Sequence, residues 1–113
     1  MKQGLFTITE QVALTATVYR MRLKGDTSAV TGPGQFVNIL LDGLYLRRPI
    51  SVNDCVGDEL TIIYKVVGSG TQQMSEMKAG EKLDVLVVTD PLRIAFYYIL
   101  LVIYRQQNSL FSI

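Results

Sequence analysis

The sequence predicts an all-β fold, a small antiparallel barrel or sandwich carrying one short helix. The chain is a series of five or six short β-type runs, separated by turn residues at close spacing. Only one segment has the capping and periodicity of a helix. At 113 residues, 49% of them apolar, the chain fits one small domain with enough apolar material for a core.

The elements run in order along the chain. In "GLFTIT" (4–9) Leu5 and Thr7 alternate with Phe6 and Ile8. "VALTATVYRMRL" (12–23) is a strand-like run. Its apolar face passes from Val12, Leu14, Ala16 and Val18 to Tyr19, Met21 and Leu23, a one-residue switch that predicts a bulge or sharp bend. "GDTSAVTGPG" (25–34) is turn-rich, "QFVNILL" (35–41) is a strand, and Asp42-Gly43 signals a hairpin. "LYLRRPISV" (44–52) is the next strand, and "NDCVGDE" reads as a loop. "LTIIYKVV" (60–67) is β-branched and aromatic. "TQQMSEMK" (71–78) is the helix, with Thr71 as N-cap and Met74 and Met77 on one side, and "LDVLVV" (83–88) is the last strand. "IAFYYILLVIY" (94–104) is eleven apolar or aromatic residues in a row, too short for a membrane span of ~20 residues. It reads first as a buried strand or helix. The alternatives are a terminal segment that associates with a partner or joins copies into an oligomer, and peripheral membrane contact, against which the lack of an amphipathic pattern counts.

Charge narrows the function classes. Eleven basic and ten acidic residues leave a net charge of +1, without the basic stripe that nucleic acid or an anionic membrane attracts. There is no histidine, so the commonest metal ligand and neutral-pH general base is absent. One cysteine, Cys55, excludes an intrachain disulfide and any site built from several thiolates. "MKQGLFTITE" has no apolar stretch of signal-peptide length, so the cytoplasm is the expected compartment.

Two stretches carry chemistry. In "YLRRPISVND" (45–54) adjacent arginines precede a proline and a serine. A guanidinium presents a fixed fork of donors matched to phosphate oxygens. In an extended segment Arg48 and Ile50 point one way and Pro49 and Ser51 the other. Pro49 removes a ladder donor and favours a place where the sheet is open. The plainer reading is a solvated edge strand whose arginines pair with Asp42 or Asp54. In "IIYKVVGSGT" (62–71) a strand runs through two glycines into a helix start, where backbone N–H groups are unpaired and glycines allow close approach. Neither a Walker loop nor GxGxxG is present. Tyr64 and Lys65 could stack on and pair with a nucleotide; otherwise they belong to an ordinary half-buried strand.

Taken in order, "PGQF" (33–36), "RRPIS" (47–51), "IIYKVVGSGT" (62–71) and "GEKLDVL" (80–86) resemble the electron-transfer subunits of bacterial dihydroorotate dehydrogenase B, in the ferredoxin reductase superfamily. The likeness covers roughly residues 3–86, and the superfamily's R-x-Y-S motif falls on Arg48-Pro49-Ile50-Ser51. The resemblance implies a six-stranded antiparallel FAD-binding barrel over residues 1–90, followed by an atypical apolar tail over 91–113. It implies that Arg48 holds the FAD pyrophosphate, that Ser51 contacts the flavin, and that Pro49 and Ile50 shape the wall. Ile63, Tyr64 and Lys65 match the stretch near the ribityl and adenosine side. Gly70 and Thr71 match the helix start beside the pyrophosphate. Arg47 receives no role beyond a structural or partner-facing one.

In that family, electrons pass from NADH through FAD and a [2Fe-2S] cluster to the FMN of a catalytic subunit that oxidises dihydroorotate. The family's nucleotide-binding domain and four cluster cysteines have no counterpart in these 113 residues, so the cluster is not expected. After "LDVL" the chain reads "VVTDPLRIAFYY" where the family has a glycine-rich loop, as a frameshift or truncation would produce. The expectation is an FAD-binding barrel that cannot complete electron transfer alone. The competing readings are a flavin-free remnant acting as an interaction module and a small OB-like nucleotide binder.

Overall fold

The computed structural model of the chain describes residues 2–43 and 47–89. The apolar run 94–104, and the tail expected over 91–113, lie outside them. Six strands and one helix occur in sequence: β1 (Lys2–Ala13), β2 (Val18–Lys24), β3 (Phe36–Leu40), β4 (Arg48–Val56), β5 (Glu59–Lys65), α1 (Ser69–Ser75) and β6 (Lys82–Val87). All pairings are antiparallel, and the sheet closes on itself in the order β1-β2-β5-β4-β3-β6. Closure decides between barrel and sandwich. Among the described residues no helix is long and apolar enough to cross a membrane.

Alternation fills the interior. Phe6 and Ile8 of β1, Met21 and Leu23 of β2, Val37 and Ile39 of β3, Leu60 and Ile62 of β5, and Leu83 and Val85 of β6 are buried together. Leu5, on the opposite face of β1 from Phe6, is 65% exposed. Met74 of α1 closes one end of this core and is fully buried, a contribution of about 1.5–3 kcal/mol.

Three local expectations are corrected. The run 12–23, expected to carry a bulge or sharp bend, holds the end of β1 and most of β2 with a full reversal between them. Leu14 and Thr15 donate backbone hydrogen bonds to the Val18 carbonyl, and the Thr15 hydroxyl accepts from the N–H groups of Thr17 and Val18. The switch of apolar face marks that turn. The expected loop "NDCVGDE" is instead the end of β4 and the start of β5, joined at Gly57 and Asp58. Gly57 has φ +59, the left-handed conformation of a tight hairpin, so one glycine does what a loop was expected to do. The helix starts at Ser69, not Thr71, with Gly68 as the N-cap. Thr71 sits inside the first turn. Its hydroxyl accepts from the N–H groups of Val67 and Gly68 and donates to the Gly68 carbonyl, tying the loop to the helix from the other side.

Two register shifts redirect side chains. β1 pairs Ile8 with Leu23 and then Glu10 with Arg22, leaving Thr9 as the extra residue of a bulge. β4 pairs Val52 with Ile62 and then Asp54 with Thr61, leaving Asn53 as the extra residue. Each bulge inverts the facing of every residue beyond it. Cys55 therefore packs against the core instead of facing out.

Candidate functional site

The strands β4 and β5 part company at one end of the barrel. Their pairing runs from Val56–Glu59 to Val52–Ile62 and goes no further. Beyond it, Arg48–Ser51 of β4 pair only with β3, and Ile63–Lys65 of β5 pair only with β2. Continued in register, the ladder would set Ser51 against Ile63 and Pro49 against Lys65. Pro49 has no N–H to give. The two strands thus splay around a gap, and both motif stretches border it.

Backbone direction is fixed by the hydrogen bonds at the rim. Val52 exchanges bonds with Gln35 and Gly34 on the β3 side, and the Val66 N–H donates to Thr17 on the β2 side. In antiparallel strands successive residues aim their N–H and C=O to opposite sides. The main-chain groups of Ser51, Ile63 and Lys65 therefore face the opposite strand, and the Ile63 N–H donates to the Ser51 carbonyl, the bond that closes the Val52–Ile62 pair. Beyond that last ladder bond, the N–H groups of Ser51 and Lys65 point into the gap.

The side chains divide as alternation requires. Ile50 packs against the core while Ser51 is exposed. Pro49 is half-buried, opposite Asn38 of β3. Ile63, 39% exposed, and Lys65, exposed, lie on the outer face. Tyr64 points inward. Its ring stacks on Tyr19 with centroids 5.8 Å apart and planes at 18°. Its hydroxyl donates to Gln11 Oε1 at 2.9 Å. Burial pushes the Tyr64 phenol up to about 12, against the opposing effect of the Gln11 bond.

Arg48 and the helix start meet directly. Gly70 and Thr71 are buried at the first turn of α1. A Cβ on Gly70 would stand 2.7 Å from Arg48 Nε. The guanidinium stem thus crosses the helix start where only a glycine leaves room. Residues 48 and 70, drawn from two separate motifs, form one cationic and donor-rich corner beside the gap.

Arg47 goes elsewhere. Its Nη2 donates to Asp84 Oδ1 at 3.0 Å and its Nη1 to the Asn38 carbonyl at 3.2 Å. Gln3 Nε2 donates to the same Asp84 carboxylate at 3.0 Å. Arg47 and Asp84 are 16% and 25% exposed, so the pair is a half-buried link from the residue before β4 to β6 across β3. The carboxylate is neither Asp42 nor Asp54 but one far along the chain, in "KLDVL".

Gln11 is a residue of this region that sequence reasoning passed over. Counted by period two from Phe6 and Ile8, it faces out with Leu5 and Thr7. The bulge at Thr9 turns it inward, opposite buried Met21. Among the described residues no group of three or more acidic, histidine or cysteine side chains is placed to hold a metal ion.

Comparison with known proteins agrees with this architecture. No protein-family model matches the sequence. The electron transfer subunit of dihydroorotate dehydrogenase B (NAD(+)) from Enterococcus faecalis is 43% identical over 90 residues, covering 75% of this chain and 34% of that protein. The same subunit from Fusobacterium nucleatum is 42% identical over 86 residues, covering 71% and 33%. The Streptococcus mutans protein is 41% identical over 90 residues, covering 76% and 34%. The chain spans about one third of the length of these relatives. Among solved structures, an NADH-dependent reduced ferredoxin-NADP oxidoreductase studied for flavin-based electron bifurcation aligns with TM-score 0.66 and 30% identity, covering 74% of this chain and 32% of that one. A ferredoxin NADP+ reductase from Neisseria gonorrhoeae, solved with bound FAD and NADP, aligns with TM-score 0.65 at 18% identity, covering 75% and 37%. At that identity the likeness concerns the fold. The barrel is therefore of the ferredoxin-reductase type, and over the third of their length that it spans the chain is a homologue of the electron transfer subunits of dihydroorotate dehydrogenase B.

Proposed function

We propose that the chain binds FAD in the gap between β4 and β5, as the flavin-carrying barrel of an electron-transfer protein. The observation that carries this reading is the convergence of Arg48 with Gly70 beside a gap into which the N–H groups of Ser51 and Lys65 point. These residues suit a dinucleotide flavin on chemical grounds. The diphosphate needs a cation and close backbone donors. Arg48 supplies the first, and the missing Cβ of Gly70 lets the guanidinium lie across the helix start. The nine residues named for the site, Arg48, Pro49, Ile50, Ser51, Ile63, Tyr64, Lys65, Gly70 and Thr71, include no carboxylate to repel phosphate.

Each residue's share is set by its placement. Arg48 neutralises the diphosphate. Pro49 keeps the strands apart beyond the Val52–Ile62 pair, so that Ser51 and Lys65 offer N–H groups to a ligand, with Ile63 on the outer face beside them. Ile50 supports the floor from the core side, and the Ser51 side chain is exposed at the rim. Tyr64 acts through its backbone and its buried ring, since its phenol is committed to Gln11. Thr71 holds the Gly68–Gly70 turn in shape. FAD, when bound, would accept a hydride's two electrons and release them onward. The partner implied by the relatives is the FMN-containing catalytic subunit of a dihydroorotate dehydrogenase, fed from NADH. The 113 residues span about one third of the relatives' length, and the part of the transfer proposed for them is the flavin step. Its setting by the same reading is the cytoplasm.

A second reading has one observation in its favour. Gly70 and Thr71 are accounted for by contacts within the chain: the first by the Arg48 stem, the second by the loop it ties. A flavin-free barrel serving as an interaction module would keep both. The deciding experiment is an absorption spectrum of the purified chain before and after FAD, then after desalting, with FMN as control. A retained flavin band supports the first reading. A colourless protein that ignores FAD supports the second.

A further inference from the structure

The C-terminal end of α1 is closed from within only by the N–H groups of Glu76 and Met77, which donate to the carbonyls of Gln73 at 3.2 Å and Met74 at 3.1 Å. It has neither a left-handed glycine nor a basic residue in its last turn, and Glu76 at the C-cap is in ordinary helical conformation. A seven-residue helix so ended is marginal by itself. The side-chain cap comes from β1. Gln11 Nε2 donates to the carbonyl of Met74 at 2.7 Å and to that of Met77 at 3.1 Å. Its Oε1 accepts from the Tyr64 hydroxyl at 2.9 Å. One amide thus uses both donors and its acceptor to join β1, β5 and α1.

That join has a consequence at the opposite end of the helix. Gly70 lies one turn from Met74 on the same buried face. The position of Gly70 sets where the Arg48 stem runs. We propose that Gln11 is a positioning residue for Arg48: by capping α1 from β1, it holds Gly70 against the Arg48 stem and so aims the guanidinium at the phosphates. The inference rests on the FAD reading of Arg48. The bulge at Thr9 is part of the device, since without it Gln11 would face solvent.

The test uses the whole chain. Affinities for FAD and for riboflavin, which has no phosphate, are measured by flavin fluorescence alongside thermal unfolding. Gln11→Glu keeps the acceptor for Tyr64 but loses both donors to the helix. Gln11→Lys loses that acceptor but keeps donors for the two carbonyls. The expected result is a loss of FAD affinity of about tenfold in Gln11→Glu, with riboflavin affinity changed less than twofold, and near wild-type FAD affinity in Gln11→Lys. A purely structural role would lower both ligands together, or both variants alike, and either result overturns the proposal. So does a Gln11→Glu chain that keeps its FAD affinity while Arg48→Ala loses it, a result that leaves the FAD reading standing. If Arg48→Ala loses nothing either, both readings fall.

Discussion

The stem of Arg48 occupies the space where Gly70 would carry a side chain: a Cβ there would stand 2.7 Å from Nε, 3.2 Å from Cγ and 3.3 Å from Cδ. The glycine and the arginine are therefore one unit. Even a methyl group on Gly70 moves the guanidinium.

Arg48→Ala is expected to weaken FAD binding by ~1.5–3 kcal/mol, the scale of a hydrogen bond to a charged group. Gly70→Ala should produce a loss of the same kind by displacing Arg48. Since the two act through one contact, the double variant should bind FAD no worse than Arg48→Ala alone. Flavin fluorescence titration of the three variants checks this. Additive losses would mean that Gly70 serves the ligand independently of Arg48.

Arg47 should behave in the opposite manner. Replacing it with alanine leaves Asp84 and the Asn38 carbonyl short of a donor in a half-buried place. A stability loss of about 1–3 kcal/mol is expected, with FAD affinity within about twofold of wild type. Urea unfolding and FAD titration, run side by side, separate the adjacent arginines into a structural and a ligand-facing member. A fall in affinity as large as that of Arg48→Ala would show that Arg47 shares the site.

Tyr64 links stability to alkaline pH. Its phenol is held up to about 12 by burial, against an ordinary value of 10.0. Between these values the unfolded chain releases the proton and the folded chain keeps it. Stability is therefore full below about pH 10 and falls as pH rises towards about 12. Denaturant midpoints across that range should show the decline, and Tyr64→Phe should remove this component of it. An unchanged slope in the variant would assign the decline to other groups.

Gly57 tests the hairpin that stands where a loop was expected. Its φ of +59 is unfavourable for a β-branched side chain, though a Cβ would meet no neighbour. Gly57→Val should cost about 1–2 kcal/mol of stability through backbone conformation alone. FAD affinity should be unaltered, because the turn lies beyond the paired part of β4 and β5. Thermal unfolding and a flavin titration give the two readings.

Fold class and most of the strands are legible in the chain one segment at a time, because period-two burial and turn chemistry are local. Phe6 and Ile8, Leu60 and Ile62, and the breaks at Asp42-Gly43 and Gly68-Ser69-Gly70 need no distant partner to be read. The order of the motifs also points to the relatives. The remainder depends on three effects that no window of sequence contains. Bulges at Thr9 and Asn53 invert facing, which brings Gln11 and Cys55 inward against the simple count. Closure of the barrel brings Asp84 to Arg47 and leaves the opening between β4 and β5. And the short helix, too short to hold itself, is placed by a glutamine from a distant strand. Alternation depends on neighbouring residues, whereas register, closure and capping across strands depend on which distant segments meet.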